Sequence, residues 1–340
     1  MKLILVGFGT VGQGLAEILR DQAAYLQEKY NFSGVIVGVA TRTRGTVYHP
    51  DGLDVTHLLQ ASESGHLDQY PDQPGLERGW NTEKLIREGQ ADALVEVSYS
   101  DLQTAQPALS YCQAALASGK HIVMANKGPV SLAYSELRSA AQKAGKHLGF
   151  EATVMAGTPA LRLAQDALAG CRITQARGIL NGTTNYILSQ METGLEYEVA
   201  LKQAQQLGYA EADPAADVDG WDAAGKAAIL SNVLFGRKPG PLGAISVRGI
   251  RELSLSDVRT AQAAGERWRL IATLNADGGS VQPVRLPVSD PLANISGATN
   301  AVTYTTDLLG DVTLVGPGAG RLETGFGLLA DLLAIHRVNL

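Results

Sequence analysis

Met1-Lys2-Leu3-Ile4-Leu5-Val6-Gly7-Phe8-Gly9-Thr10-Val11-Gly12 opens the chain. The apolar run ends at Gly7, too soon for a signal peptide, and reads as a buried strand. Gly7, Gly9 and Gly12 then fit the pattern GxGxxG, and an amphipathic helical pattern follows from Val11. In a strand–turn–helix unit the first glycine permits the tight turn and the second lets backbone approach a pyrophosphate. The third lets the helix lie close to the strand, and the helix N-terminus faces the phosphates. Gly7, Phe8, Gly9, Thr10, Val11 and Gly12 are therefore the expected dinucleotide-binding turn.

Outward from this turn, β-rich runs at 2–6, 35–40, 93–97, 121–124 and 147–151 alternate with helical stretches at 11–29, 104–118 and 131–144. Such alternation predicts a parallel sheet with helices on both faces. Residues 44–80, rich in Gly, Pro, Asp, Ser and His, interrupt it and read as an irregular, partly ordered insertion. After Glu151 the pattern changes to helices at 159–169, 181–192, 195–207 and 221–235. Strand-like runs follow at 268–274, 281–288, 300–306 and 312–315, with Asn275–Gly279 as a hairpin turn. The expected fold is α/β, a Rossmann-type dinucleotide-binding domain of residues 1–151 plus 319–340 joined to an α+β substrate-binding and oligomerisation domain of residues 152–318. The last helix, 321–337, is expected to return to the first domain.

Composition narrows the class. The 340 residues are 45% hydrophobic and 18% charged, enough for two cores at about 150 residues per domain. A net charge of −6 argues against a nucleic-acid partner, and no apolar run reaches the roughly 18 residues of a membrane span. Cys112 and Cys171 are the only cysteines, outside any CxxC pair, and the six histidines are scattered. Neither a disulfide framework nor a transition-metal site is expected, and a cytoplasmic enzyme is.

The second strand ends in Val39-Ala40-Thr41-Arg42-Thr43-Arg44, without the acidic residue that binds the ribose hydroxyls of NAD. Arginine there suits a 2′-phosphate, so Arg42 favours NADP over NAD. Met124-Ala125-Asn126-Lys127-Gly128-Pro129 follows the strand at 121–124, and the carboxyl ends of parallel strands are where ligands of such sheets lie. Lys127 is read there on a fixed loop. The segment from Gly208 to Lys226 crowds Glu211, Asp213, Asp217 and Asp219 before a helix, on which Asp222 and Lys226 stand four apart on one face. That helix is otherwise almost wholly apolar. A buried ion pair is poor evidence of stability, because desolvation offsets much of its attraction, so a function is the better reading.

With Gly178-Ile179-Leu180-Asn181-Gly182-Thr183-Thr184-Asn185-Tyr186-Ile187, these segments make nearly the whole chain resemble the homoserine dehydrogenases. The resemblance implies interconversion of L-homoserine and L-aspartate 4-semialdehyde in threonine and methionine biosynthesis, with NADP or NAD carrying the hydride. It implies Glu211, Asp217, Asp222, Gly182 and Thr183 as substrate-binding residues. Lys226 becomes the proton-transfer residue, with Lys127 second, and Thr41, Arg42, Lys127 and Gly320 complete the cofactor site. Glu151-Ala152-Thr153-Val154-Met155-Ala156-Gly157-Thr158 resembles a monovalent-cation loop, with oxygens of Glu151, Val154, Ala156 and Thr158 around sodium or potassium. Met155 stands where that loop often has glycine. A homodimer or homotetramer is implied, without a regulatory domain after the last helix. A reductase of a related amino-acid semialdehyde would share the glycines but not the acidic segment with Lys226. A non-catalytic NADP sensor would leave both lysines without a role.

Overall fold

A computed structural model describes residues 1–236 and 245–338; residues 237–244, within the expected second domain, and 339–340, at the end of the expected first, lie outside it. The chain forms two compact units, Met1–Gly157 with the segment from Gly320, and Thr158–Ala319.

The first unit is built on β1 (Lys2–Val6), whose side chains from Leu3 to Leu5 are fully buried. It continues through α1 (Thr10–Asp21), α2 (Ala23–Tyr30) and β2 (Val35–Ala40). The single helix expected over 11–29 is broken at Gln22, whose backbone leaves the helical region. The interruption after β2 is not wholly irregular, contrary to expectation. It carries β3 (Thr46–Tyr48), α3 (Val55–Glu63) and β4 (Glu77–Arg78), which add two antiparallel strands to the sheet. Scattered buried apolar side chains, Val47, Leu58, Leu67 and Tyr70 among them, anchor it in the core, and Asp54 caps α3 by accepting from the His57 backbone N–H.

Next come α4 (Thr82–Glu88), β5 (Ala93–Glu96), α5 (Ala108–Ala117), β6 (His121–Met124), α6 (Lys127–Ala144) and β7 (Leu148–Gly149). The sheet runs β4-β3-β2-β1-β5-β6-β7, parallel from β2 to β7. Order therefore reverses at β1, between β2 and β5, which places the glycine turn at the switch point where such sheets take ligands.

The second unit begins with a short turn of helix, α7 (Ala160–Arg162), then β8 (Ile173–Ile179), α8 (Gly182–Glu192), α9 (Tyr197–Gln206), α10 (Ala215–Val218) and α11 (Trp221–Phe235). After β9 (Ile245–Val247) and α12 (Leu255–Ala263) come β10 (Glu266–Asn275), β11 (Gly279–Pro287), β12 (Thr299–Thr306) and β13 (Gly310–Pro317). These strands form a sheet in the order β13-β12-β8-β10-β11-β9, antiparallel except at its β9 edge. The turn between β10 and β11 is the expected hairpin, held by Asn275 Oδ1 accepting from the N–H groups of Asp277 and Gly278. β8, unforeseen as a strand, is central. It delivers Leu180 and Asn181 to the start of α8.

The last helix, α13 (Arg321–Val338), belongs to the first unit and lies against α1. The helices touch through glycine: a Cβ on Gly14 would stand 2.1 Å from the Arg321 carbonyl oxygen, and one on Gly325 2.7 Å from the Leu15 nitrogen. Arg321 also makes a two-pronged ion pair with Glu17.

Candidate active site

In the first unit the glycine turn has three different reasons for its three glycines. Gly7 has φ +99°, and a Cβ there would lie 2.4 Å from the Val97 carbonyl oxygen. A Cβ on Gly12 would lie 2.8 Å from the Gly7 carbonyl oxygen, so this residue brings helix and strand together. A Cβ on Gly9 would meet nothing within 4 Å. Gly9 is also the N-cap of α1, with no side chain satisfying the first N–H groups and no acidic residue in the first turn. An open, donor-rich concavity of this kind fits a pyrophosphate.

The turn is braced by the insertion. Gln13 Nε2 donates to the Phe8 carbonyl and to Ser62 Oγ of α3, and Arg44 donates to the same hydroxyl. Thr41 Oγ1 donates to the Gly45 carbonyl and accepts from the Arg44 N–H, closing the loop after β2. Arg44 is therefore committed to α3, whereas Arg42 is exposed. Gly320 directly precedes α13.

Lys127 is not on a loop, as expected, but is the first residue of α6. Asn126 caps that helix by accepting from the Gly128 N–H, and the Lys127 N–H donates to Ser100 Oγ. Glu151, Val154 and Ala156 are buried in a turn where Met155 and Ala156 both have positive φ, 55° and 52°. Met155 thus occupies the backbone region that favours glycine. The Glu151 N–H donates to the buried Asp331 of α13. Thr158, the first residue of the second unit, donates its hydroxyl to the Pro317 carbonyl.

In the second unit two acids of the segment, Asp222 directly and Asp217 through Asn181, are gathered about one lysine. Lys226, buried on α11, donates to the Leu180 carbonyl at 2.7 Å and pairs with Asp222 at 2.9 Å. Asn181 Nδ2 donates to Asp217 at 2.7 Å and to Asp222 at 3.0 Å. Its other amide atom caps α8, accepting from the Thr184 N–H and hydroxyl. Asn181 is thus the hinge pin between the two carboxylates and α8, a bridging role not read in the sequence. Burial and the neighbouring Asp222 raise the Asp217 pKa, against the opposing pull of Asn181, Lys226 and Thr183.

The remaining residues are placed differently. The Thr183 hydroxyl donates to the Tyr209 carbonyl. Gly182 is required by packing, because a Cβ there would lie 2.6 Å from the Ala298 carbonyl oxygen. Glu211 is exposed and joins none of these hydrogen bonds. Cys112 and Cys171 are both free thiols, the first buried and the second half-buried. No cluster of three metal-ligating side chains occurs among the described residues, and no described helix is long and apolar enough to cross a membrane.

Comparison with known proteins joins the two halves. Residues 7–151 match the family described as "Homoserine dehydrogenase, NAD binding domain", and residues 159–333 match "Homoserine dehydrogenase". The chain is 44% identical to an NAD(+)-dependent homoserine dehydrogenase of Pseudomonas canavaninivorans, over 99% of this chain and 96% of that protein. It is 38% identical to a homoserine dehydrogenase of Methanocaldococcus jannaschii, over 99% and 98%. A mutant of a hyperthermophilic archaeal homoserine dehydrogenase, solved in complex with NADPH, superposes with a TM-score of 0.84 at 32% identity, covering 99% of this chain and 98% of that one.

Proposed function

The chain belongs to the homoserine dehydrogenase family, NAD(P)-dependent oxidoreductases acting on a CH–OH group, and from that membership we propose how its own residues divide the reaction L-homoserine to L-aspartate 4-semialdehyde. The observation that carries the proposal is the buried group of Lys226, Asp222, Asn181 and Asp217.

In this reading residues 1–151 plus 319–340 bind the dinucleotide, and 152–318 bind substrate and form the contacts between copies. The nicotinamide, when bound, accepts or returns the hydride. Gly7, Phe8, Gly9, Thr10, Val11 and Gly12 hold its pyrophosphate, with Thr41, Lys127 and Gly320 at the edges of the site. Lys226 manages the proton. Two of its three donor positions are spent on Leu180 and Asp222. The third position serves the substrate oxygen: as a neutral amine Lys226 takes the hydroxyl proton there on oxidation, and as the ammonium it returns that proton to the alkoxide on reduction.

Asp217 and Asp222 hold the substrate ammonium, whose charge relieves the repulsion between them. The N–H groups of Gly182 and Thr183, which open α8, meet the carboxylate. Glu211, exposed in this structure, joins the ammonium site once substrate is present. Lys127 orients cofactor or substrate and is the second choice for proton transfer.

The finer cofactor and assembly proposals rest on single features. Arg42, exposed and placed after β2, supports NADP as the preferred cofactor. Oxygens of Glu151, Val154, Ala156 and Thr158 suit sodium or potassium, hard ions that take carbonyl and carboxyl ligands. The enzyme assembles as a homodimer or homotetramer, a reading supported by Leu308, Leu309 and Val315, which are exposed on and beside edge strand β13. It works in the cytoplasm, where two unbonded thiols stay reduced.

The test is nicotinamide absorbance with L-homoserine and each cofactor, on the wild type and on Arg42→Asp. Turnover of homoserine well above that of L-serine is expected. The substitution should weaken NADPH binding far more than NADH binding. An absence of turnover with both cofactors from neutral to alkaline pH rejects the reading, and equal loss of the two cofactors rejects the role of Arg42.

A further inference from the structure

One ionisable side chain at the switch point has no part in the reaction just described. Glu96 ends β5, opposite Val6 of β1 on one side and Met124 of β6 on the other, and is fully buried. Its Oε1 accepts from the Ser98 N–H at 2.8 Å, the Ser98 hydroxyl at 2.5 Å and Asn126 Nδ2 at 3.3 Å. The same Asn126 amide reaches the carbonyl oxygens of Ser98 and Tyr99, while its Oδ1 caps α6. Ser100 then accepts from the Lys127 N–H. On the other side, the Val97–Ser98 peptide is the surface against which Gly7 rests, with a hypothetical Cβ only 2.4 to 2.7 Å away.

One carboxyl group therefore sits under three things at once: the floor of the glycine turn, the loop leaving β5, and the cap of the helix that begins with Lys127. The cost of placing it there is visible. Glu96 Oε2 is buried without a hydrogen-bond partner, and the Cys112 thiol of α5 is the titratable neighbour that feels its charge. Burying an unsatisfied carboxyl oxygen is expensive, and a hydrophobic residue would fill the same space without that penalty.

We propose that Glu96 is a positioning residue of the hydride-transfer site, its Oε1 fixing the β5 exit loop so that the glycine turn and the start of α6 keep a single spacing. The proposal rests on the reading of that turn as the NAD(P) cradle. Glu96 touches neither cofactor nor substrate in this role; it acts through Ser98 and Asn126.

The experiment compares Glu96→Leu, which keeps the volume and removes the acceptor, with Glu96→Gln, which keeps an acceptor oxygen. NADPH affinity is read from nicotinamide fluorescence, kcat and the KM for homoserine from turnover, and folding from thermal melting of the same preparations. Glu96→Leu should weaken NADPH binding about tenfold or more and lower kcat, with Glu96→Gln recovering most of the loss to within about threefold. If Glu96→Leu does not fold, Ser98→Ala, which removes only the hydroxyl donor, should weaken NADPH binding in the same direction. A folded Glu96→Leu, or failing that Ser98→Ala, with wild-type NADPH affinity and kcat overturns the proposal. Wild-type protein that binds neither NADPH nor NADH overturns the cradle reading instead.

Discussion

A carboxyl group buried as Glu96 is makes stability depend on pH, and the direction follows from which form burial disfavours. Desolvation raises its pKa from 4.5 to about 7, against opposing hydrogen bonds from Ser98 and Asn126. The folded chain thus holds this proton more tightly than the unfolded chain does. Its contribution is fully present below about 4.5 and is lost as pH rises through about 7, a difference on the order of 3 kcal/mol. Melting temperature followed from pH 4.5 to 8 should show that decline in wild type and a flatter profile in Glu96→Gln; parallel profiles reject it.

Lys226 invites a different separation, of chemistry from packing. As the proton-transfer group, its replacement by alanine should lower kcat about 10²- to 10⁴-fold while NADPH still binds. As merely the partner of Asp222, its loss should act on folding, at about 3–5 kcal/mol for a broken buried pair. Measuring kcat, NADPH affinity and melting on one Lys226→Ala preparation distinguishes these, and near-normal kcat there with an inactive Lys127→Ala moves the proton to Lys127.

At the scale of elements, the glycine turn predicts opposite outcomes for neighbouring substitutions. Gly9→Ala adds a methyl to open space, so melting should hardly change while NADPH affinity falls, because the methyl occupies the phosphate concavity. Gly12→Ala drives a methyl against the Gly7 carbonyl and should cost about 1–3 kcal/mol of stability as well. Equal melting temperatures for the two variants would contradict the reading of the turn. This motif was legible because its physics is local: strand, turn and helix are adjacent in sequence. The pairing of Asp222 with Lys226 was legible for the same reason, being one helical turn.

Other elements were hidden by distance. β8 reads Ile173-Thr174-Gln175-Ala176-Arg177-Gly178-Ile179, with too few apolar residues to announce a central strand, and its partners lie nearly 100 residues or more ahead in the chain. The insertion after β2 has no periodicity, since its order comes from a few buried side chains and one cap. Asn181 bridges Asp217 and Asp222 from 36 and 41 residues away, which spacing alone cannot reveal. Gly182 carried a substrate expectation, yet its nearest constraint is the Ala298 carbonyl.

For the molecule as a whole, the placement of α13 against α1 has a consequence in time. The first unit owns both Met1–Gly157 and the segment from Gly320, so its core waits for residues synthesised after the whole of the second unit. While the second unit emerges from the ribosome, the α1 surface around Gly14 and Leu15 lacks the helix that covers it. A fragment of residues 1–157 should therefore be poorly soluble or bind hydrophobic dyes, and joining residues 320–338 to it through a flexible linker should restore a cooperative melt. If the bare fragment melts as sharply as the joined one, α13 is dispensable to that core. If the difference holds, a nascent chain stalled anywhere before Gly320 is a client for chaperones, and a gene permuted to begin with α13 would release its product from that wait.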